Sequence, residues 1–152
     1  MSVLKKSALV SVAVLTIATP FTAREEGLRT RAYLDSVGVP TICYGETDGV
    51  RLGDKKTVPE CNAMLDMKLG MISYAVDLAV SPPLPVNTHA ALSSWAYNVG
   101  IGAMKRSTLI KKANRGDFIG ACNELPRWSY AGGKPILAGR RERERALCLT
   151  GL

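Results

Sequence analysis

Histidine is almost missing from this chain: His89 is the only one in 152 residues. Zinc-type metal sites need clustered His, Cys and carboxylate ligands, and the spacing of Cys43, Cys61, Cys122 and Cys148 supplies no such cluster. No Cys-x-x-Cys pair, glycine-rich phosphate loop or RNA-binding aromatic signature is present. These absences argue against a metal, a cofactor and a nucleic-acid partner. Internal repeats and low-complexity segments are also absent, so the chain reads as one globular unit with two small lobes. No apolar run is long enough for an ordinary transmembrane helix. The longest candidate, Ser7 to Ala23, would span about 25 Å at 1.5 Å per residue, against a hydrocarbon core of roughly 30 Å. His89 follows Thr88 at a predicted helix start and reads as a surface residue.

That N-terminal run nevertheless has a pattern. Lys5-Lys6 precede it, and a basic segment before an apolar one is an export signature with its N-terminus held in the cytoplasm. Ser7, Ser11, Thr16, Thr19 and Thr22 dilute the apolar residues and bring membrane insertion close to marginal. Three fates are open to such a segment: cleavage as a signal peptide, permanent anchoring, or insertion followed by release. Without the two lysines the chain keeps 18 basic and 13 acidic residues, a balance of +5 that suits an anionic polymer or surface. In an exported chain four cysteines read as two disulfides, for which three pairings are possible.

The chemistry is concentrated in Arg24–Thr47. Glu26 follows an apolar helix and precedes Gly27, a predicted helix stop. Asp35 follows nine positions later in a polar turn, and Thr41 six beyond that, within a predicted hairpin strand, Val39 to Tyr44. Cleaving a glycosidic bond takes two carboxyls, one protonated and one ionised. Glu26, at the end of an apolar element, suits the acid. Asp35 suits the ionised partner, and Thr41 could hold a water opposite the leaving group. That arrangement favours inversion, with carboxyls roughly 6.5–9.5 Å apart. Glu25 and Glu46 are competing carboxylates that spacing alone does not exclude.

The run Glu26-Gly-Leu-Arg, Ala32-Tyr-Leu-Asp35, Gly38, Thr41-Ile and Tyr44-Gly resembles the catalytic motif of phage-type lysozymes, glycoside hydrolase family 24. The resemblance continues through Ala96-Tyr-Asn-Val-Gly-Ile-Gly102, Ser107-Thr-Leu, Asn114-Arg-Gly-Asp117, Arg127-Trp128 and Gly139-Arg-Arg-Glu-Arg-Glu-Arg145, covering roughly residues 24–149. It implies a lysozyme-like α+β fold, mainly α, with a small β-hairpin lobe and a helical lobe joined by a long helix. It implies hydrolysis of the β-1,4 bond between N-acetylmuramic acid and N-acetylglucosamine in peptidoglycan, causing host lysis. Glu26 would be the general acid, with Asp35 and Thr41 positioning or activating water. Thr47, Tyr97 and Thr108 would be sugar contacts, while Arg141 and Trp128 match family positions but read as packing and ion pairing. The family-like layout favours the disulfides Cys43–Cys61 and Cys122–Cys148. Cys43 departs from the pattern, standing where many relatives have glycine.

Residues 1–23 further resemble the segment of signal-arrest-release endolysins, which is exported uncleaved and later leaves the bilayer. By that resemblance the chain starts in the host inner membrane through residues 7–23, N-terminus cytoplasmic, and ends in the periplasm as a monomer, with a holin as its partner in timing. Residues 24–152 would be the catalytic domain. With no cysteine before Cys43, the thiol exchange used by some relatives is excluded. The near alternative is a lytic transglycosylase, and the distant ones are a membrane-disrupting cationic protein and an inactive wall-binding module.

The remaining elements follow from pattern. Thr57-Val-Pro-Glu60 is a capping box opening a long helix that stops before Ser81-Pro-Pro, with a Met and Leu stripe as core. A second helix runs from Asn87 or Thr88 to Asn98 and is broken by Gly100 and Gly102. Short helices are predicted over Ser107–Asn114 and Asp117–Leu125, a loop over 129–139, and a charged closing helix over Arg140–Leu149.

Overall fold

The computed structural model describes the backbone of residues 3–152 and the side chains from Val12 onward. Lys5, Lys6 and the first part of the apolar run therefore lie outside the described side chains. Helix α1 covers Val3–Glu26 and is followed by strands β1, Arg29–Leu34, and β2, Pro40–Cys43. These pair as an antiparallel hairpin, Tyr33 opposite Thr41 and Arg29 opposite Cys43, with an irregularity between. Then come α2, Val58–Ala79; α3, Val86–Val99; α4, Ile101–Arg106; α5, Thr108–Asn114; α6, Phe118–Glu124; a 3₁₀ turn, Leu125–Trp128; and α7, Ala138–Leu149.

The lysozyme-like division into a small β-containing lobe and a helical lobe is present, and α2 joins them. The capping box forms as expected: Thr57 Oγ1 accepts the Glu60 N–H at 3.2 Å, and Glu60 accepts the Thr57 N–H at 2.7 Å. Both favoured disulfides are formed. Cys43–Cys61 ties β2 to the first turn of α2, and Cys122–Cys148 ties α6 to α7.

Helix α3 is the hub. Its residues from Thr88 to Ala96 are all buried, as a helix packed on every side requires, and it contacts α1, α2, α4 and α7. One apolar cluster lies in the helical lobe around Leu92, Trp95, Met104, Leu109 and Leu125. Trp128 packs edge-on against Trp95, ring centroids 5.4 Å apart. The other cluster gathers Ile42, Tyr44, Leu65 and Leu69 with Val14 and Ala18 of α1. Val14, Ala18 and Thr22, spaced four apart on one face, are completely buried. The segment that reads as an export signal is thus also the inner wall of the small lobe. No break in the fold falls at residues 23–24, because α1 is continuous to Glu26. Among the described residues no helix is long and apolar enough to cross a membrane.

Two local expectations are corrected. A helix, α4, follows immediately on α3, because Gly100 at φ +92° turns the chain directly into it, with Gly102 inside the new helix. The Met and Leu stripe of α2 is core as expected, with Leu65, Leu69, Ile72 and Val76 buried and Met64 packed against them, while Met67 and Met71, outside that stripe, are exposed. His89 is buried rather than on the surface. Its Nε2 lies 2.8 Å from the Ser73 carbonyl oxygen and 3.2 Å from Ser73 Oγ, while Nδ1 has no partner. Burial pushes its pKa below the usual histidine range, against smaller opposing effects of the Ser73 carbonyl and Asp77. A base held less basic in the folded state loses stability as pH falls through its unfolded value of about 6.5. The melting temperature is therefore expected to drop between pH 7.5 and 5.5, and His89→Gln to flatten that drop.

Candidate active site

The last turn of α1 places two adjacent carboxylates against α7. Gly27, at φ +73°, ends the helix and donates its N–H to the Ala23 carbonyl at 3.0 Å. Glu26 is mostly buried and its Oε1 accepts from Arg140 Nη1 at 2.6 Å. Its other oxygen, Oε2, faces Gly45 so closely that a Cβ there would sit 2.7 Å away. Gly45 also has φ +73°, so both backbone angle and space demand glycine.

Arg140 is the second anchor. It is buried, donates through Nε to Glu144 at 2.9 Å and through Nη2 to the Ser94 carbonyl at 3.0 Å. Glu144 is completely buried, accepts from Ser94 Oγ at 2.9 Å, and lies 3.0 Å from Arg141 Nε. Burial raises the Glu144 pKa, with Arg141 and Arg140 pulling against it. Arg141, also fully buried, donates to Asn98 Oδ1 at 2.9 Å, and burial lowers its pKa to about 10, so it stays charged at neutral pH. Arg141 and Trp128 thus serve ion pairing and packing, as expected. Arg140 was not singled out in the sequence, although the Arg-Arg-x-x-Glu spacing that pairs it with Glu144 was visible.

The competing carboxylates are engaged elsewhere. Glu25 makes a two-pronged pair with Arg143, 2.5 and 2.9 Å, and those bonds hold its pKa below the usual carboxylate range. Burial opposes ionisation of Glu46, but the Asp48 N–H, Lys68 and the Thr47 N–H outweigh it and lower its pKa too. Neither is placed to keep a proton near neutral pH.

Asp35 opens the turn between the strands. Its Oδ1 accepts the N–H groups of Val37 and Val39 at 2.9 and 2.8 Å, while Oδ2 takes no hydrogen bond from the described residues. Thr41 is buried on β2, and its hydroxyl donates to the Val39 carbonyl at 2.9 Å. Two residues on, Cys43 has φ +60°, a region that glycine tolerates and that costs other residues of order 1–3 kcal/mol. That conformation accounts for glycine in the resembled motif, and the bond to Cys61 accompanies the departure here.

Between the lobes runs an open cleft of about 550 Å³, lined by Glu46, Asp48, Lys68 and Tyr97 together with Met64, Met67, Met71, Ile72 and residues 98–101. Tyr97 donates its hydroxyl to the Tyr44 carbonyl at 2.6 Å, and Lys68 Nζ lies 5.2 Å from its ring centroid. Burial, with the charges of Glu26 and Glu46, pushes its pKa up, so it remains a donor. Thr47 is exposed at the rim, its N–H held by Glu46. Thr108 is exposed at the start of α5 and does not line this cleft.

The family model described as phage lysozyme matches residues 23–144. The chain belongs to that family. A phage lysozyme is a glycoside hydrolase of the muramidase class, and the relatives agree with it. The SAR-endolysin of Bacteriophage PS119 is 44% identical over 83% of this chain and 77% of its own length. Among solved structures, a mutant of P22 lysozyme is 36% identical with a TM-score of 0.76, covering 88% of this chain and 95% of that one. The active form of the P1 phage endolysin Lyz superposes with a TM-score of 0.79 at 26% identity, over 93% and 94% of the two chains. In this phage lysozyme the family match spans the motif-bearing segment and both lobes, while the cleft described is lined by Tyr97 and not by Glu26, Asp35 or Thr41.

Proposed function

We propose that the chain is an endolysin that hydrolyses the β-1,4 bond between N-acetylmuramic acid and N-acetylglucosamine and so lyses the host cell. The observation that carries the reading is Glu26, fixed between Arg140 and Gly45 at the end of α1. Glu26 gives its proton to the glycosidic oxygen as the C1–O4 bond breaks. Water attacks C1 from the opposite face, and its proton passes to Asp35. Thr41, whose own hydroxyl proton is directed at Val39, offers an oxygen lone pair to that water. Tyr97 and Thr47 contact the sugar in the cleft, with Thr108 contacting it from outside the cleft described. No cofactor or nucleic acid enters the reaction, and the working species is a monomer.

Peptidoglycan fragments released by the purified protein test this directly. Reducing muropeptides whose first-formed anomer is inverted support it. Anhydro sugars would transfer the assignment to a lytic transglycosylase, and bilayer leakage without any glycan cleavage would transfer it to a membrane disruptor.

The N-terminal segment adds a stage before catalysis. Residues 7–23 are held first in the host inner membrane, N-terminus cytoplasmic, with a holin setting the time of release into the periplasm. While the segment is in the bilayer, the Val14–Ala18–Thr22 face is missing from the small lobe and Glu26 is held away from Arg140. Protein kept tethered in vesicles is expected to cleave glycan at least tenfold more slowly than protein in detergent-free solution. Equal rates would sink this stage without touching the hydrolytic chemistry.

A further inference from the structure

One residue of the hairpin lobe stands in a conformation that its side chain does not favour. Among the described residues Cys43, at φ +60°, is the only non-glycine with positive φ. It lies inside a closed loop, in which Ile42 and Glu46 exchange both backbone hydrogen bonds at 2.9 Å. The rest of that loop faces the site. The Tyr44 carbonyl takes the Tyr97 hydroxyl at 2.6 Å, Gly45 backs onto Glu26 Oε2, and Glu46 pairs with Lys68 in the cleft. Thr41 leads into the loop from β2.

Two of these residues are left-handed, Cys43 and, at φ +73°, Gly45. Gly45 has no Cβ to oppose that angle, whereas Cys43 has one. Were residue 43 to relax to a negative φ, the chain on its two sides would diverge. Thr41 and Gly45 could not then both keep their places. The bond to Cys61 is placed to prevent this. Cys61 is completely buried in the first turn of α2, and its N–H is held by the Thr57 carbonyl at 3.0 Å. Thr57 is itself fixed by the capping box, so the anchor is a rigid helix end. The other disulfide differs. Cys122–Cys148 lies in the helical-lobe core, and neither of its residues has a positive φ.

Resting on the hydrolytic reading, we infer that Cys43–Cys61 is a positioning bond for the catalytic loop, which makes the enzyme dependent on oxidation. The bond holds residue 43 left-handed, and so keeps Thr41 in place and Gly45 against Glu26. A chain still in a reducing compartment lacks the bond and is only weakly active. Export arms it: the two thiols lose two electrons and two protons to an exchanging disulfide, which leaves as two thiols.

The test separates the bond from the conformation. Cys43→Ala/Cys61→Ala removes the bond and keeps a Cβ at position 43. Cys43→Gly/Cys61→Ala removes the same bond but lets residue 43 stay left-handed. The alanine pair should lose about tenfold in kcat with KM unchanged, because the competent loop becomes a minority conformer. The glycine variant should return to within about twofold of wild type and ignore dithiothreitol. Wild type reduced at Cys43–Cys61, as thiol counting verifies, should lose about tenfold in kcat and regain it on reoxidation. Cys122→Ala/Cys148→Ala should lower the melting temperature and leave kcat alone. Equal activity of the first two variants, whether high or low, would overturn the inference. So would reduced wild type that keeps full activity, or that melts below the assay temperature, since the bond would then serve stability alone. No glycan cleavage by oxidised wild type is a different result: it would overturn the hydrolytic reading itself.

Discussion

Glu26→Gln is expected to lower kcat for peptidoglycan cleavage by about 10²–10⁴-fold, the usual contribution of a positioned general acid, with KM nearly unchanged. The substitution is close to isosteric. A Gln carbonyl can still accept from Arg140 Nη1, and Arg140 retains Glu144 and the Ser94 carbonyl. The fold should therefore survive, and the melting temperature measured beside the rate separates lost chemistry from lost structure. What Gln cannot do is give a proton to the leaving oxygen. Activity within a fewfold of wild type would remove Glu26 from the acid role, and Glu25 and Glu46, both held ionised, would not replace it. A protein acting by bilayer disruption would kill equally well with either residue.

The largest stability effect should come from Glu144→Gln. This carboxylate has no exposed surface and faces Arg140 and Arg141 within 3.0 Å. Removing its charge leaves buried Arg140 with Glu26 as its one carboxylate and buried Arg141 with no carboxylate within salt-bridge distance among the described residues. Breaking a buried pair in this way costs about 3–5 kcal/mol, which in a chain of this length lowers the melting temperature by roughly 10 °C. Arg141→Met/Glu144→Met, which removes one charge of each sign and fills the space with apolar groups, should be the milder change. A drop of only a degree or two in Glu144→Gln would show that water reaches the network. Activity should fall as well, because Arg140 holds both Glu144 and Glu26.

Much of this was readable from local pattern. The capping box at Thr57, the stop at Gly27, the turn at Asp35 and the Arg-Arg-x-x-Glu spacing of α7 each depend on residues a few positions apart. Gly100 misled because the same residue can end one helix or turn the chain directly into another, and only the packing of Met104 against the core decides which. His89 misled because a lone histidine beside a helix cap carries no sign of its depth, which Ser73 on α2 sets.

By itself the sequence determined every helix but α4, the hairpin, the order Glu26, Asp35, Thr41 and the family, because propensity, capping and motif spacing act over short stretches of chain. Only the tertiary structure decided that Glu26 meets Arg140, 114 positions away, and that Gly45 leaves room for its carboxylate. It alone turned Val14, Ala18 and Thr22 from a marginal membrane segment into a wall of the core. The reason is the same in each case. Burial and charge pairing are properties of which distant surfaces meet, and no local pattern of residues carries that information.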